Sequence, residues 1–144
     1  ICRALCEKLS GIDIDIIASP AIGGIIMGYQ VAKILGKPNI FFERQNGVMT
    51  LRRGFELEKG SRVLVVEDVV TTGGSVKEVT EQVENMGCTV AAVASIVDRS
   101  GGAVDFGKKF VNLLSMDIKS YPPEECPLCR QGIPAYKPGS RDLK

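Results

Sequence analysis

Several residue types are missing or scarce in this chain. Its 144 residues include no histidine and no tryptophan. The lack of histidine excludes Ser-His-Asp triads, histidine metal sites and imidazole acid–base catalysis. Neither sign of charge dominates, since 18 Lys and Arg residues balance 17 Asp and Glu residues and leave a net charge of +1. We therefore expect no nucleic-acid partner and no membrane partner, because both favour an excess of positive charge.

Long hydrophobic runs are also missing. The longest, residues 90–97, contains Ser95 and is too short to cross a bilayer, and no secretory signal pattern is present. Five cysteines lack the regular spacing of a disulfide framework, which favours a reducing, cytoplasmic location. The length and a hydrophobic content of 44% indicate one domain with a buried core. Because the chain begins at Ile1, within a pattern typical of a helix, we expect a further segment before it.

The most informative stretch is residues 63–75. Its first four residues, all apolar, predict a buried strand that ends at two adjacent carboxylates, Glu67 and Asp68. A loop of small residues, 69–74, follows, and a helix is predicted to begin near Ser75. Hydroxyls and open backbone N–H groups at a helix start favour a phosphate, and paired carboxylates suit ribose hydroxyls with a divalent cation nearby. The stretch predicts a ribose 5-phosphate site; the alternative is an ordinary strand–loop–helix turn.

A second small-residue loop, residues 19–24, follows the first predicted strand, residues 12–18. A helix is predicted from this loop to about Leu35. Open α/β sheets bind ligands at this position, beyond the carboxyl ends of their strands. The backbone amides of the loop suit a second anion, although a tight turn without a ligand explains this loop equally well when it is taken alone.

A β-hairpin rich in arginine is predicted after the second strand, residues 39–43. Asn46-Gly47 is a strong signal for a two-residue hairpin turn. The alternative to a binding function is a solvated hairpin whose basic side chains pair with Glu56 and Glu58. Three planar, permanently charged side chains on this hairpin suit a pyrophosphate or a planar carboxylate: Arg44, Arg52 and Arg53.

The rest of the core continues the alternation of strands and helices. Residues 76–86 predict an amphipathic helix, and residues 88–97 and 110–116 predict two further strands. This order predicts an α/β fold: a Rossmann-like parallel sheet flanked by helices, with right-handed crossovers and a short β-hairpin excursion. We assign this core to residues 1–118.

Arg99 follows the strand predicted at residues 88–97. It should therefore lie at the same edge of the sheet as the two small-residue loops, with its charge toward a ligand. The alternative is a structural arginine that pairs with Asp98 or Asp105.

Residues 119–144 differ in composition, with five prolines and the sequence Cys126-Pro-Leu-Cys129. We predict a proline-rich C-terminal flap, packed on the core, with two reduced thiols. One Cys-x-x-Cys pair provides half of a structural zinc site, which a symmetric dimer would have to complete. A redox pair would need an activating helix N-terminus, which proline-rich surroundings do not predict.

These segments together resemble the type I phosphoribosyltransferases, which use phosphoribosyl pyrophosphate (PRPP). Residues 63–75 match the PRPP motif of that family: a hydrophobic strand, two acidic residues, two apolar residues and Thr-Thr-Gly-Gly-Ser. Within the family, the chain is most similar to the orotate phosphoribosyltransferases. Four further segments carry that similarity: Ala18-Ser-Pro-Ala-Ile-Gly-Gly24; Glu43-Arg44 with Leu51-Arg-Arg-Gly-Phe55; Asp98-Arg-Ser-Gly101; and Cys126-Pro-Leu-Cys129 with Lys137-Pro-Gly-Ser-Arg141.

The resemblance implies a role for each matching position. Glu67 and Asp68 would bind the ribose hydroxyls, Arg44 would bind pyrophosphate, and these three are the implied catalytic residues. Thr71 and Arg99 would contact orotate. The implied PRPP site is Glu67, Asp68, Val69, Val70, Thr71, Thr72, Gly73, Gly74 and Ser75, and the implied pyrophosphate site is Ala21, Ile22, Gly23, Arg44, Arg52 and Arg53.

The implied reaction is transfer of the 5-phosphoribosyl group from PRPP to orotate, giving orotidine 5′-monophosphate and pyrophosphate in pyrimidine (UMP) biosynthesis. Mg²⁺ held through PRPP near Glu67 and Asp68 would be the cofactor, and a homodimer the assembly. The chain departs from the family pattern in two ways. Many members have a longer mobile loop with lysines and a histidine between the arginines, and an N-terminal region that helps to cover orotate; here the hairpin is short and most of that region is absent.

Two other functions stay open at this point. One is a purine phosphoribosyltransferase, and the other is a PRPP-binding regulator without transferase activity. An acidic base such as orotate favours a cation such as Arg99 in its pocket, whereas a purine favours aromatic stacking, and aromatic residues make up 6% of this chain. A regulator would need a nucleic-acid surface, which the near-neutral charge does not favour.

Overall fold

The computed structural model describes residues 1–119, 121–122 and 124–133. Residues 120, 123 and 134–144 lie outside the described residues, so the segment of residues 137–141 that carries part of the family similarity is not described. The described part of the chain forms these helices and strands: α1 (Cys2–Lys8), β1 (Ile16–Pro20), α2 (Gly23–Leu35), β2 (Asn39–Gln45), β3 (Val48–Leu51), β4 (Arg62–Val70), α3 (Gly74–Asn85), β5 (Thr89–Asp98), β6 (Phe110–Ser115) and α4 (Pro127–Arg130).

The strands form one six-stranded sheet in the order β3-β2-β1-β4-β5-β6. All neighbouring pairs are parallel except β2 and β3, which form the predicted hairpin. Chain order reverses at β1, which pairs with β2 on one side and with β4 on the other. A crevice forms beyond the carboxyl ends of strands at such a reversal, and α/β sheets bind ligands there. The predicted α/β sheet with a hairpin excursion is confirmed.

The core lies on both faces of the sheet. Along β4, Val63 and Val65 contribute to one apolar cluster, whereas Leu64 and Val66 contribute to the other, as the two-residue period of a strand requires. All four side chains are fully buried. The four apolar residues at the start of the motif are therefore sheet core, and they fix the position of the carboxylates that follow them.

Strand β4 is longer than predicted. It continues through Val70, which pairs with Asp98 of β5, so Glu67 and Asp68 lie within the strand and the loop is confined to residues 71–73. The sequence prediction ended the strand at Val66 because two charged residues rarely occupy a buried strand. Pairing with β1 ends at Val65, whereas pairing with β5 continues past the carboxylates to Val70.

Strand β1 begins later than predicted, at Ile16 rather than Ile12. The carboxylate of Asp15 accepts hydrogen bonds from the backbone N–H and the Nε of Arg62, at 2.9 Å each. Asp13 forms a salt bridge with the same guanidinium, at 2.8 Å. These side-chain contacts hold the connection before β1 at the amino end of β4, so the alternating pattern of residues 12–15 does not extend the strand.

The described part of the C-terminal segment contains one short helix, α4, with Cys126 immediately before it. Whether this segment packs on the core as a flap stays a prediction. None of the helices in the described residues is long and apolar enough to cross a membrane.

Candidate active site

A cleft of about 210 Å³ lies at the carboxyl end of β4, lined by Glu67 and residues 69–76. Gly73 adopts φ = +74°, a left-handed conformation that favours glycine, and its carbonyl accepts a hydrogen bond from the N–H of Lys77 as α3 begins. The first N–H groups of a helix have no partner within the helix and carry partial positive charge. The predicted phosphate loop is therefore a concave surface that ends on a helix N-terminus.

The two carboxylates of the motif differ in their surroundings. Burial raises the pKa of Glu67 to about 8, and the neighbouring carboxyl of Asp68 adds to the effect. The Asp68 N–H donates to Oε1 of Glu67 at 3.1 Å, and the Val69 N–H donates to Oδ1 of Asp68 at 2.8 Å. Glu67 is thus held as a protonated side chain near neutral pH while the cleft is empty.

The second small-residue loop lies directly against these carboxylates. A Cβ atom on Gly23 would be 2.5 Å from Oδ2 of Asp68, and one on Gly24 would be 3.2 Å from Oε1 of Glu67. The start of α2 therefore needs glycine in order to approach the end of β4. The second loop, predicted separately from the sequence, therefore lies against the acidic pair, and the contact of Gly24 with Glu67 was not predicted.

The arginines of the hairpin have partners other than those considered from the sequence. Arg44 forms a bidentate salt bridge with Glu78 of α3, with N–O distances of 2.8 and 2.7 Å. Glu43 accepts from Nε of Arg53 at 3.0 Å and from Arg52 at 3.2 Å. The alternative pairing with residues 56 and 58 is wrong for the described residues, because the hairpin packs beside α3 and its second strand returns toward Glu43.

Arg44 contacts the helix that begins at the cleft. Its partner Glu78 follows Gly74, the first residue of α3, by about one helical turn. Arg44 also donates to the carbonyl of Gly47 at 2.7 Å, which folds its side chain over the hairpin turn. Arg52 and Arg53 lie side by side, because both contact the carboxylate of Glu43.

Arg99 lies in the turn that follows β5. Its backbone N–H donates to the carbonyl of Val70 at 2.7 Å, which joins this turn to the phosphate loop. Its side-chain Nε is buried and has no hydrogen-bond partner among the described residues. The structure does not pair it with Asp98 or Asp105. A buried guanidinium N–H without a partner beside the cleft suits an anionic ligand group.

Asp98 has a structural role that the sequence did not reveal. Its carboxylate accepts hydrogen bonds from the N–H and hydroxyl of Ser100, the N–H of Gly102 and the hydroxyl of Ser115, at 2.6–3.2 Å. Burial alone would raise the pKa of Asp98, but these donors outweigh it and hold that pKa below its usual range. Asp98 thus fixes the backbone of the turn from which Arg99 projects.

Two apolar side chains of the same turn were also missed. A Cβ atom on Gly73 would lie 2.7 Å from Val104 and 2.9 Å from Phe106. Phe106 in turn packs edge-on against Phe110, with ring centroids 5.0 Å apart. These contacts cover the phosphate loop with an apolar surface. The signal available in the sequence was an apolar pair within an otherwise polar, glycine-rich turn.

No group of three or more acidic or cysteine ligands suited to a metal ion occurs in the described part of the chain. Glu67 and Asp68 are nonetheless adjacent carboxylates at the edge of the cleft, which are the oxygen ligands that Mg²⁺ prefers. Mg²⁺ is commonly held by one or two carboxylates together with substrate phosphates, so these residues fit a cation that arrives with a phosphorylated substrate.

Residues 2–124 match the phosphoribosyl transferase domain. The orotate phosphoribosyltransferase of Pelotomaculum thermopropionicum is 57% identical over 143 residues, which are 99% of this chain and 75% of that protein. The chain belongs to the orotate phosphoribosyltransferase family. The enzymes of that name from Caldanaerobacter subterraneus and Thermotoga maritima are 58% and 56% identical, over 98% and 97% of this chain and 74% and 75% of their own lengths. The family resemblance stated from the sequence is confirmed.

Solved structures of related enzymes have the same fold as this chain. The orotate phosphoribosyltransferase of Aeropyrum pernix aligns with a TM-score of 0.68 and 26% identity, over 79% of this chain and 68% of that one. An adenine phosphoribosyltransferase from Thermoanaerobacter pseudethanolicus aligns with a TM-score of 0.69 and 21% identity, over 80% of this chain and 77% of that one. The second likeness concerns the fold alone.

Proposed function

We propose that this chain transfers the 5-phosphoribosyl group from PRPP to orotate, producing orotidine 5′-monophosphate and pyrophosphate for UMP biosynthesis. The observation that carries the proposal is the composition of one cleft. It joins the phosphate loop to Glu67, the first residue of the acidic pair. The turn that carries Arg99 is hydrogen-bonded to Val70 of the same lining, and the buried Nε of Arg99 has no partner among the described residues. Relatives at 51–58% identity with the orotate enzyme's name support the same choice of base.

The phosphate loop and the acidic pair bind different parts of PRPP. Backbone N–H groups and hydroxyls of residues 71–75 bind the 5-phosphate at the start of α3, where the helix dipole favours an anion. Glu67 and Asp68 bind the ribose hydroxyls. The pKa of about 8 for Glu67 allows its carboxyl to donate a hydrogen bond as well as accept one.

Arg99 binds the carboxylate of orotate, with Thr71 beside the pyrimidine ring. A guanidinium matches a planar carboxylate with two parallel hydrogen bonds, which gives direction as well as charge. The hydrogen bond between the Arg99 N–H and the Val70 carbonyl couples the position of this arginine to the loop that holds the ribose phosphate. Both substrates are thereby placed by adjoining backbone segments.

The reaction breaks the bond between the anomeric carbon and the pyrophosphate oxygen, forms a bond from that carbon to a ring nitrogen of orotate and releases the proton of that nitrogen. Positive charge develops on the ribose ring, and we assign its stabilisation to the carboxylate of Asp68, with Glu67 beside it. The loop of Ala21, Ile22 and Gly23 and the side chain of Arg44 bind the departing pyrophosphate. Mg²⁺, when bound with PRPP, neutralises charge on the pyrophosphate. The protein acts by positioning and electrostatics, without a covalent intermediate.

Three broader expectations belong to the same proposal. We propose Mg²⁺ as the cofactor, a homodimer as the assembly and a cytoplasmic location. The location is supported by five free cysteines, two of them buried, since reduced thiols are typical of a reducing compartment. The assembly is supported by exposed apolar side chains at and just before α2: Ile22, the residue before the helix, Ile26 and Tyr29 are 78%, 81% and 58% exposed.

The proposal is tested with purified protein, PRPP and Mg²⁺, by following the loss of orotate absorbance beside adenine, hypoxanthine and uracil. We expect turnover with orotate alone. Asp68→Asn should abolish it, whereas Asp13→Asn, a matched change at the opposite end of the sheet, should leave it unchanged. Turnover of a purine instead would overturn the choice of base, and PRPP binding without turnover of any base would favour the regulator.

A further inference from the structure

A buried carboxylate lies next to Arg99 in the chain. Asp98, the last residue of β5, is 1% exposed and is not among the residues that line the cleft. Its Oδ1 accepts hydrogen bonds from the backbone N–H and the hydroxyl of Ser100, at 2.8 and 2.6 Å. Its Oδ2 accepts from the Gly102 N–H at 3.0 Å and from the Ser115 hydroxyl at 3.2 Å. One carboxylate therefore ties the residues that follow Arg99 to the strand that precedes it.

The Ser100 hydroxyl extends this hydrogen-bond network along the turn. It donates to Asp98 and accepts a hydrogen bond from the Val104 N–H at 3.2 Å. Between these contacts, Gly101 and Gly102 adopt φ values of +63° and +87°, left-handed conformations that let the chain fold back on itself. The shape of the turn is thus set by two polar side chains, one on each side of Arg99.

The Arg99 side chain depends on the backbone of this turn for its direction. The Arg99 N–H donates to the carbonyl of Val70 at 2.7 Å, and the neighbouring residues, Asp98 and Ser100, are joined by their side chains. Nε of Arg99 is buried and has no hydrogen-bond partner among the described residues. Because no described residue binds Nε, the orientation of the guanidinium follows that of the backbone that carries it.

The phosphate loop is held by other contacts. Val70 pairs with the backbone of Asp98 in the sheet, and the Gly73 carbonyl accepts a hydrogen bond from the Lys77 N–H at 2.9 Å. These backbone contacts do not require a hydroxyl at position 100. The turn meets the loop through an apolar contact, that of Val104 with Gly73. Loss of the Ser100 hydroxyl should therefore disturb Arg99 far more than the loop.

We propose that Asp98 and Ser100 are positioning residues for the base, because their hydrogen bonds hold Arg99 in the orientation that binds the orotate carboxylate. This inference rests on the proposed function of the cleft. A guanidinium binds a planar carboxylate through two parallel hydrogen bonds, so its alignment matters as well as its charge. A change in the shape of the turn weakens both hydrogen bonds while the positive charge stays. Neither positioning residue is assigned a contact with substrate.

The first test measures KM for orotate and for PRPP, with Mg²⁺ present, in the unsubstituted full chain and in Ser100→Ala. We expect KM for orotate to rise about fivefold, the equivalent of the roughly 1 kcal/mol that one hydrogen bond contributes. KM for PRPP should change less than about twofold. Ser61→Ala is the matched control, since it removes a hydroxyl that donates over the same 2.6 Å, to the Glu58 carbonyl before β4. It should leave both KM values unchanged.

A double-mutant cycle shows whether Ser100 acts through Arg99, which a purely structural role would not require. In the Arg99→Ala background, Ser100→Ala should change KM for orotate less than about twofold. An equal rise in KM for orotate in both backgrounds would overturn the inference. So would an unchanged KM for orotate in Ser100→Ala alone, or an equal rise in KM for both substrates.

Asp98→Asn provides a second variant. Each carboxylate oxygen of Asp98 accepts from a backbone N–H, so an amide NH₂ in either place faces a donor. KM for orotate should rise at least about fivefold, with circular dichroism confirming that the variant is folded; an unchanged KM in the folded variant would overturn the inference. If the unsubstituted chain did not turn over orotate at all, the proposed function itself would be wrong, and the inference would fall with it.

Discussion

At the scale of single residues, the buried carboxyl of Glu67 lowers the stability of the folded protein, although the proposed reaction needs it. In the unfolded chain its carboxyl ionises near pH 4.5, whereas in the folded protein burial raises its pKa to about 8. Between these values the unfolded state has released a proton that the folded state still holds. Folding is therefore progressively disfavoured as the pH rises from 4.5 to 8, and this cost is absent below pH 4.5.

Glu67→Gln should remove that cost. Without substrate and with a chelator present, we expect the free energy of unfolding at pH 8 to increase by on the order of 2–4 kcal/mol, with no gain at pH 4. Turnover should fall, because the amide replaces one of the two carboxyl oxygens that are proposed to bind the ribose hydroxyls. Urea unfolding at the two pH values measures the first effect. Glu81→Gln, an exposed change on α3, is the control, and an equal gain at both pH values would contradict the account.

The residues of the site were predictable from sequence to different degrees. Glu67, Asp68 and Thr71 to Ser75 were identified because their chemistry is local: adjacent acids, hydroxyls and glycines within one turn. The contacts of Gly24, Phe106 and Glu78 were not, because each depends on a second segment that the fold brings near. The same limit explains why the partners of the hairpin arginines were assigned to nearby acids in the sequence instead of Glu43 and Glu78.

At the scale of elements, the salt bridge between Arg44 and Glu78 joins the hairpin to α3. Both side chains are about one-third exposed, at 34% and 39%. Exposed pairs of this kind contribute roughly 0–1 kcal/mol, so the contact is weak enough for a polyanion to replace. Under the proposed role of Arg44 in binding pyrophosphate, Glu78 competes with pyrophosphate for the guanidinium of Arg44.

Glu78→Gln should therefore strengthen inhibition by pyrophosphate by roughly threefold, the equivalent of about 0.6 kcal/mol, while thermal stability changes little. The inhibition constant against PRPP measures this effect. Glu81→Gln on the same helix should leave the constant unchanged. Weaker inhibition by pyrophosphate in the Glu78 variant would show that Glu78 orients Arg44 toward the ligand instead of competing for it.

The elements themselves were largely predictable, and their ends were not. Asn46-Gly47 fixed the hairpin, since both residues adopt the positive φ values, 51° and 83°, that its two-residue turn requires. The apolar run at Val63 identified β4 as a buried strand. Its extension to Val70 depends on pairing with β5, and the late start of β1 depends on the contacts of Arg62, so neither boundary could be read from local pattern.

At the scale of the whole molecule, the sheet order places every candidate ligand group at one edge. The reversal between β1 and β4 brings the start of α2 beside the carboxylates, and β5 adds Arg99 from the other side. Strand–helix alternation and right-handed crossovers were sufficient to predict this arrangement. The sequence did not predict how closely the start of α2 approaches the end of β4, because that approach depends on glycines at the contact.

At this scale we expect a chelator to act on turnover and not on the stability of the substrate-free protein. Since we propose that Mg²⁺ binds together with PRPP, EDTA should abolish turnover, but the melting temperature without substrate should stay the same. Calorimetry with and without EDTA measures the second quantity, and added Mg²⁺ should restore turnover. A fall in melting temperature on chelation would indicate a structural metal ion and contradict the account.

The central claim is that one cleft holds ribose phosphate in the loop of residues 71–75 and orotate against Arg99. It is tested most directly by measuring KM for each substrate in Arg99→Ala and Thr72→Ala. Arg99→Ala should raise KM for orotate at least about tenfold with little change for PRPP, since a charge-assisted hydrogen bond contributes about 1.5–3 kcal/mol. Thr72→Ala should do the reverse. If Arg99→Ala instead raised KM for PRPP and left that for orotate unchanged, the assignment of the two halves of the cleft would be wrong.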